Sequence, residues 1–259
     1  MTNTAVVTGA STGIGAAFAR ALAGRAKRIV LVARDRSRLE GIADELRTRH
    51  SVDATVLAAD LTVPGDLERV AQAVRDEASL DLLVNNAGCG TVTAFAKSEL
   101  AREDQQVRLN VLALVHLTHA ALAGMVARGR GAIVNVSSVQ GFVPSPFLAT
   151  YGATKAFVNS FTESIATEVG PKGVVVQALC PGFTRTEFQK RAGIRTDGVP
   201  TSAWMTPEAV VEASLTALAR GDLYCIPGAQ NRTLVGLSKL VPGPIARRLS
   251  ATLIRRAVG

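Results

Sequence analysis

Ala5-Val6-Val7-Thr8-Gly9-Ala10-Ser11-Thr12-Gly13-Ile14-Gly15 decides how this 259-residue chain folds. The first five residues read as a short strand, and from Gly13 an Ala-rich helical pattern begins. Between them, glycines at 9, 13 and 15 permit a tight turn, close approach of backbone to a pyrophosphate, and close packing of helix on strand. Ser11, Thr12 and Ile14 complete that loop. The spacing is Gly-x-x-x-Gly-x-Gly rather than the Gly-x-Gly-x-x-Gly of the general dinucleotide fingerprint, so alone it is moderately specific.

Outward from this loop, β-rich runs near 4–8, 28–33, 54–59, 81–85, 131–137, 173–179 and 223–227 alternate with helical patterns. The helical segments are 13–26, 36–49, 64–78, 99–128 and 151–169, and Thr206-Pro207-Glu208 supplies a cap, a first-turn proline and an early carboxylate for another. That alternation predicts an α/β fold: a doubly wound parallel sheet with helices on both faces. Residues 1–230 are expected to form one domain. Within it, residues 183–205 are the least regular stretch and sit after a strand, where a substrate loop would lie, with Phe188, Trp204 and Met205 as its apolar inner face.

A hydrophobic content of 47% is ordinary for a globular protein with a buried core. No apolar run of membrane-spanning length stands out, and the early strand leaves no room for a signal peptide, so a cytoplasmic location is expected. Cys89, Cys180 and Cys225 have no paired metal or redox spacing and read as packing residues. The net charge of +8 raises nucleic acid as a partner, but arginines are scattered and aromatics are only 4%, so none is expected. Residues 231–259 read as a C-terminal basic and apolar extension, with Lys239, Arg247, Arg248, Arg255 and Arg256 and no acid over 234–256. Pro242 and Pro244 interrupt a single helix there, which favours packing on the body or on a second subunit over a membrane surface.

Three further stations lie at strand ends, where a nucleotide binds such a sheet. The second strand ends in Arg34, at the position where an acid would hold the ribose hydroxyl of NAD. A guanidinium there suits a 2′-phosphate, so NADP(H) is expected over NAD(H), with neighbouring Asp35 as a counterweight. Asp60-Leu61 ends the third strand and could accept from an adenine amino group. Asn85-Asn86-Ala87-Gly88 follows the fourth, with amides able to brace the sheet edge and small residues leaving space for a ribose.

Tyr151 and Lys155 are spaced i,i+4 on a predicted helix, on one face. A lysine ammonium about 5 Å from the phenol, at an effective dielectric of about 20, would favour phenolate by roughly 3 kcal/mol, about two pK units. This predicts a tyrosine tuned downward for acid/base work. Ser138 could hold a substrate carbonyl oxygen beside it. Neighbouring Ser137 competes for that role, but spacing favours Ser138.

With these motifs in order, the chain resembles the short-chain dehydrogenase/reductase family over nearly its whole length. Thr8 to Gly15 is similar to its cofactor loop, Asn85 to Gly88 to its Asn-Asn-Ala-Gly segment, and Tyr151/Lys155 to its Tyr-x-x-x-Lys, with Ser138 thirteen residues before Tyr151. Asn110 resembles the family asparagine of a proton relay, and Pro181-Gly182-Phe183-Thr184-Arg185-Thr186 its nicotinamide-side loop. The resemblance implies a Rossmann-type sheet of seven parallel strands and hydride transfer between nicotinamide and a carbonyl or alcohol carbon. Tyr151 would then be the acid/base, Lys155 would lower its pKa and bind the ribose, Ser138 would orient the oxygen, and Asn110 would lead to solvent. Gly9, Gly13, Gly15, Asn86, Ala87, Gly88, Pro181, Gly182 and Thr184 would line the cofactor. The tail loosely resembles lipid-oriented members, implying an apolar, acyl-chain or steroid-like substrate. The family also implies a homodimer or homotetramer through the long helices.

One alternative stays open at this level: a nucleotide-binding regulator or scaffold of the same fold with little chemistry. No metal is expected, because His116 and His119 share a helical face without an evident third ligand. Ser138 lacks the Gly-x-Ser-x-Gly elbow of a hydrolase.

Overall fold

The computed structural model describes residues 2–240, so the tail beyond Leu240, with Pro242, Pro244 and its arginines, lies outside the described residues. Seven strands form one sheet: β1 (Thr2–Thr8), β2 (Ala26–Ala33), β3 (Asp53–Ala58), β4 (Leu80–Asn85), β5 (Gly131–Val136), β6 (Val174–Leu179) and the two-residue β7 (Tyr224–Cys225). Their order is β3-β2-β1-β4-β5-β6-β7, every neighbouring pair parallel. Strand order reverses between β1 and β4, which opens a crevice at their carboxyl ends.

Alternating side chains in the strands feed two separate cores. In β1, Ala5 and Val7 face one core, shared with α1 (Gly13–Ala23), α2 (Arg36–His50) and α8 (Pro207–Ala219). Val6 faces the other, shared with α3 (Pro64–Asp76), α5 (Ala113–Arg128) and α6 (Ala149–Val169). Both sheet faces are therefore covered, which explains the near-continuous apolar strands. Thr206 caps α8 by accepting from the Ala209 amide, with Pro207 opening the helix as its sequence predicts.

Two expectations change. The segment read as one helix over 99–128 is α4 (Leu100–Val107) joined to α5 through a π-turn at Arg108–Leu112, and Asn110 sits in that turn. Taken together, Leu100–Arg128 is also long and apolar enough to cross a membrane, contrary to the sequence reading. Its Leu117, Ala120, Ala121 and Met125 are buried against the sheet and α3, as a core helix requires. The 183–205 stretch is not featureless: it holds the short α7 (Phe188–Ala192) and a 3₁₀ turn at Thr201–Ala203. α9 (Ala229–Leu240) closes the described chain and begins just before the expected extension.

Candidate active site

The exits of β1 and β4 are tied together by one hydroxyl and one amide. Thr8 Oγ1 accepts from the Asn86 and Ala87 amides at 2.9 and 3.0 Å and donates to the Val84 carbonyl at 3.2 Å. Asn86 Nδ2 donates to the carbonyls of Thr8 at 2.8 Å and Gly9 at 3.2 Å. Gly9 takes φ +64° and Gly13 φ +56°, while a methyl on Gly15 would run into the Gly9 carbonyl oxygen. These constraints leave a bare backbone surface at the start of α1, whose N-cap Thr12 makes no side-chain cap. First-turn amides without partners, at the positive end of a helix, suit an anion. The loop therefore fits a dinucleotide pyrophosphate, and it forms one wall of a cleft of about 990 Å³ that also includes Ser11, Ile14, Leu61, Ala87 and Gly88.

At the adenine-ribose end, Arg34 is largely exposed, its guanidinium 3.8 Å from Asp60 Oδ2. Asp60 is less free than its strand-end position suggests. Its Oδ1 accepts from the Thr62 amide and hydroxyl at 2.9 and 2.7 Å, so it organises the turn as well as facing Arg34. Asp35 is engaged elsewhere: it caps α2 by accepting from the Arg38 amide at 3.0 Å and pairs with the Arg38 guanidinium. Its charge is thus offset by Arg38, and Arg34 lines the cleft with Asp60 as its carboxylate neighbour. Arg38 also donates to Glu187 at 3.0 Å, linking α2 to the start of α7 across the cleft mouth. Thr186 packs on Gly13, and Pro181, Gly182 and Thr184 line the same side.

The other end gathers Ser138, Tyr151 and Lys155 around the cleft. Ser138, in extended backbone after β5, accepts from the Gln140 amide at 3.2 Å. Ser137 instead donates to the Lys155 carbonyl at 3.0 Å, a packing role. On α6, Lys155 Nζ lies 5.7 Å from the Tyr151 ring centroid and donates to the Val136 carbonyl at 2.8 Å. Asn110 does not bond the lysine. Its amide pairs reciprocally with the Cys89 backbone, donating to the carbonyl and accepting from the N–H, both at 2.9 Å, and donates to Thr154 at 3.1 Å. Bare Gly88 lies between them: a Cβ there would stand 3.2 Å from Asn110 Oδ1 and 3.6 Å from Lys155 Nζ.

The electrostatics overturn one expectation. Burial pushes the Tyr151 phenol up to about 12, opposed by a polar contact with Ser138, and burial pulls the Lys155 ammonium down to about 8. Both groups lose their water, and in the nucleotide-free chain that loss outweighs the attraction between ammonium and phenolate. The Tyr151 phenol is held protonated rather than poised as a phenolate.

The substrate end also differs in detail. Phe188 lies against Tyr151, ring centroids 5.5 Å apart, and lines the cleft with Phe183 and Ile194. Trp204 packs on Phe183 and under Arg185, and Met205 sits against the core beneath α8, so neither lines the cleft. Cys180 and Cys225 are buried packing residues, but Cys89 lines the cleft. Gly90, Thr91, Val92, Gln106 and Leu109 line it too; no motif marks them, since the Asn85-to-Gly88 signature stops before Gly90 and neither α4 nor the turn after it carries one. Among the described residues, no group of three or more His, Cys, Asp or Glu gathers.

Known proteins match this geometry. The family model described as short chain dehydrogenase matches residues 3–196. The very-long-chain 3-oxoacyl-CoA reductase of Anas platyrhynchos is 31% identical over 235 residues, 87% of this chain and 72% of that one. A short-chain dehydrogenase from Sphingobium yanoikuyae, solved with NADPH, is 38% identical and superposes with a TM-score of 0.84, covering 92% of this chain and 94% of its own. The bulky-bulky ketone specific alcohol dehydrogenase of Comamonas testosteroni is 37% identical with a TM-score of 0.80, covering 92% of each chain. With crevice, glycine loop and Tyr-x-x-x-Lys in one cleft, the chain belongs to the short-chain dehydrogenase family, as an NAD(P)(H)-dependent oxidoreductase of carbonyl and alcohol groups.

Proposed function

We propose that this enzyme is an NADP(H)-preferring reductase of lipophilic ketones and aldehydes, with Tyr151 as its proton donor. The observation that carries the reading is the meeting of Ser138, Tyr151 and Lys155 at one end of a cleft whose further wall is Val92, Phe183, Phe188 and Ile194. An apolar wall favours a substrate with hydrocarbon around its carbonyl, at about 25 cal/mol per Å² removed from water. A relative acting on very-long-chain 3-oxoacyl-CoA and another specific for bulky-bulky ketones support the same class. The NADPH-bound relative agrees with Arg34 at the ribose end.

When bound, the nicotinamide supplies the hydride. The protein supplies the proton and its control. The Gln140 amide occupies a lone pair of Ser138, which leaves the serine hydroxyl free to donate to the substrate oxygen. Tyr151 hands its proton to that oxygen, and the Lys155 charge stabilises the phenolate left behind. Asn110, across Gly88 from the ammonium, continues the proton path toward solvent. Arg34 takes the 2′-phosphate, and the first-turn amides of α1 take the pyrophosphate. The 231–259 extension would pack on the body or a partner subunit in a cytosolic homo-oligomer.

A panel of ketones of graded chain length, read by nucleotide absorbance, tests this. NADPH is expected to exceed NADH at least tenfold in kcat/KM, with kcat/KM rising with chain length, and Arg34→Ala is expected to erase most of the nucleotide ratio. Equal use of both nucleotides, or a preference for short polar carbonyls, would remove the proposal.

The pH profile offers an independent check. Tyr151 stays protonated up to about 12, whereas Lys155 loses its charge as pH rises through about 8. Reduction needs both groups protonated, so kcat/KM should be flat below pH 7 and fall through about 8. In Lys155→Arg the residual activity should lose that limb, because guanidinium stays charged. A wild-type profile flat to pH 10 would show that Lys155 charge is not required.

A further inference from the structure

At the substrate end a buried polar chain runs from α4 to the loop after β4. Glu103 and Gln106 are 7% and 1% exposed. Gln106 Nε2 donates to Glu103 Oε2 at 2.9 Å and to Thr91 Oγ1 at 2.7 Å. The order of donors and acceptors follows from the carboxylate. Glu103 accepts only, so the amide must turn its nitrogen toward it. A flipped amide would set its oxygen against the carboxylate. The two amide hydrogens are then committed, one to Glu103 and one to Thr91; the Arg102 carbonyl, 3.5 Å away, is at the limit of a bond.

Thr91 therefore receives a hydrogen bond, and its own hydrogen is left to give. Among the described residues no acceptor takes it. Thr91 is half-buried and lines the cleft, one residue from Gly90, where a Cβ would lie 3.1 Å from both the Tyr151 and Phe188 rings. A buried carboxylate that orients a glutamine, which in turn orients a threonine, is a costly arrangement for packing alone. It gives the cleft an oriented hydrogen-bond donor beside Val92, on a wall that Arg102 and Gln105 also line.

We propose that Thr91, oriented by Glu103 and Gln106, recognises a second acceptor oxygen of the substrate, so that the enzyme selects ketones bearing a further carbonyl, such as keto esters or thioesters, over plain ketones. This deepens the reductase reading and rests on it for the position of the reacting carbonyl at Tyr151. Discrimination follows from what is left unpaired. A site built to hydrogen-bond rejects an analogue lacking the partner, because a desolvated donor is stranded.

The test measures binding, so it does not depend on turnover. Isothermal titration calorimetry reads occupancy of the cleft directly. In the presence of NADP⁺, with which ketones cannot react, keto esters with the ester carbonyl two to four carbons from the ketone are titrated against plain ketones of equal length. Wild type is expected to bind at least one keto ester about fivefold or more tighter than its matched ketone. Thr91→Val should bring that ratio near one, and Thr91→Ser, which restores a hydroxyl, should recover it. A ratio near one in wild type, a ratio unchanged in Thr91→Val, or a loss shared equally by both ligands would overturn the proposal. Absence of NADPH oxidation with every ketone, alongside an intact ratio, would defeat the reductase reading and leave the Thr91 assignment standing.

Discussion

Tyr151→Phe is expected to lower reductive kcat by about 10²- to 10⁴-fold while NADPH affinity stays within about twofold. The size follows from the loss of a positioned proton donor, and the selectivity follows from packing. Tyr151 rests against Phe188 and beneath Gly90 through its ring, contacts that phenylalanine keeps. What disappears is the hydroxyl, which is protonated at neutral pH and is the group proposed to give its proton to the substrate oxygen. Single-turnover absorbance and calorimetric titration of NADPH separate the two quantities. Full turnover in the variant would move the proton source elsewhere. A parallel loss of nucleotide affinity would mean that the phenol holds the cofactor rather than the proton.

Gly15→Ala produces the other large effect, on nucleotide binding. The added methyl would collide with the Gly9 carbonyl and stand 2.5 Å from Asn86 Nδ2, neither of which is a yielding side-chain end: one is backbone, the other is held by two hydrogen bonds. Overpacking of this kind costs about 1–3 kcal/mol, which in a domain of this size lowers Tm by roughly 2–12 °C. Displacing the loop would also move the α1 amides away from a pyrophosphate bound there, and NADPH affinity is expected to fall about a hundredfold or more. Gly24→Ala is the matched control, since nothing lies within 4 Å of its Cβ position. Comparable affinity in Gly15→Ala and Gly24→Ala would show that the close approach is dispensable.

The sheet was legible because its signals are local. Val6-Val7-Thr8 before Gly9, or Val174 to Leu179 before Pro181, declare a strand and its end within a few residues. The edge strand at Tyr224–Cys225 is short enough that only its neighbours define it. Spacing likewise placed Tyr151 and Lys155 on one face. The sign of their titration could not be read that way, because desolvation depends on everything packed around them, including Gly90 and Phe188 from distant segments. The π-turn at Asn110 was hidden for a related reason: Arg108 to Leu112 has ordinary helical composition, and the bulge is set by the pairing of Asn110 with Cys89. Thr91 and Gln106 carry no motif and meet only through tertiary packing.

The stretch between β6 and α8 leaves and rejoins the body at one place. Thr184 pairs with Met205 in a parallel bridge, the Met205 amide donates to the Phe183 carbonyl, and the Arg185 amide donates to the Met205 carbonyl. This bridge closes the intervening segment into a loop that still touches the frame: Phe188 packs on the Tyr151 ring and the Val92 amide donates to the Ala192 carbonyl. Changes between the two anchor points therefore reshape which molecules enter while the bridge holds both ends in place, and those that spare Phe188 leave the packing of the Tyr151 ring as it was.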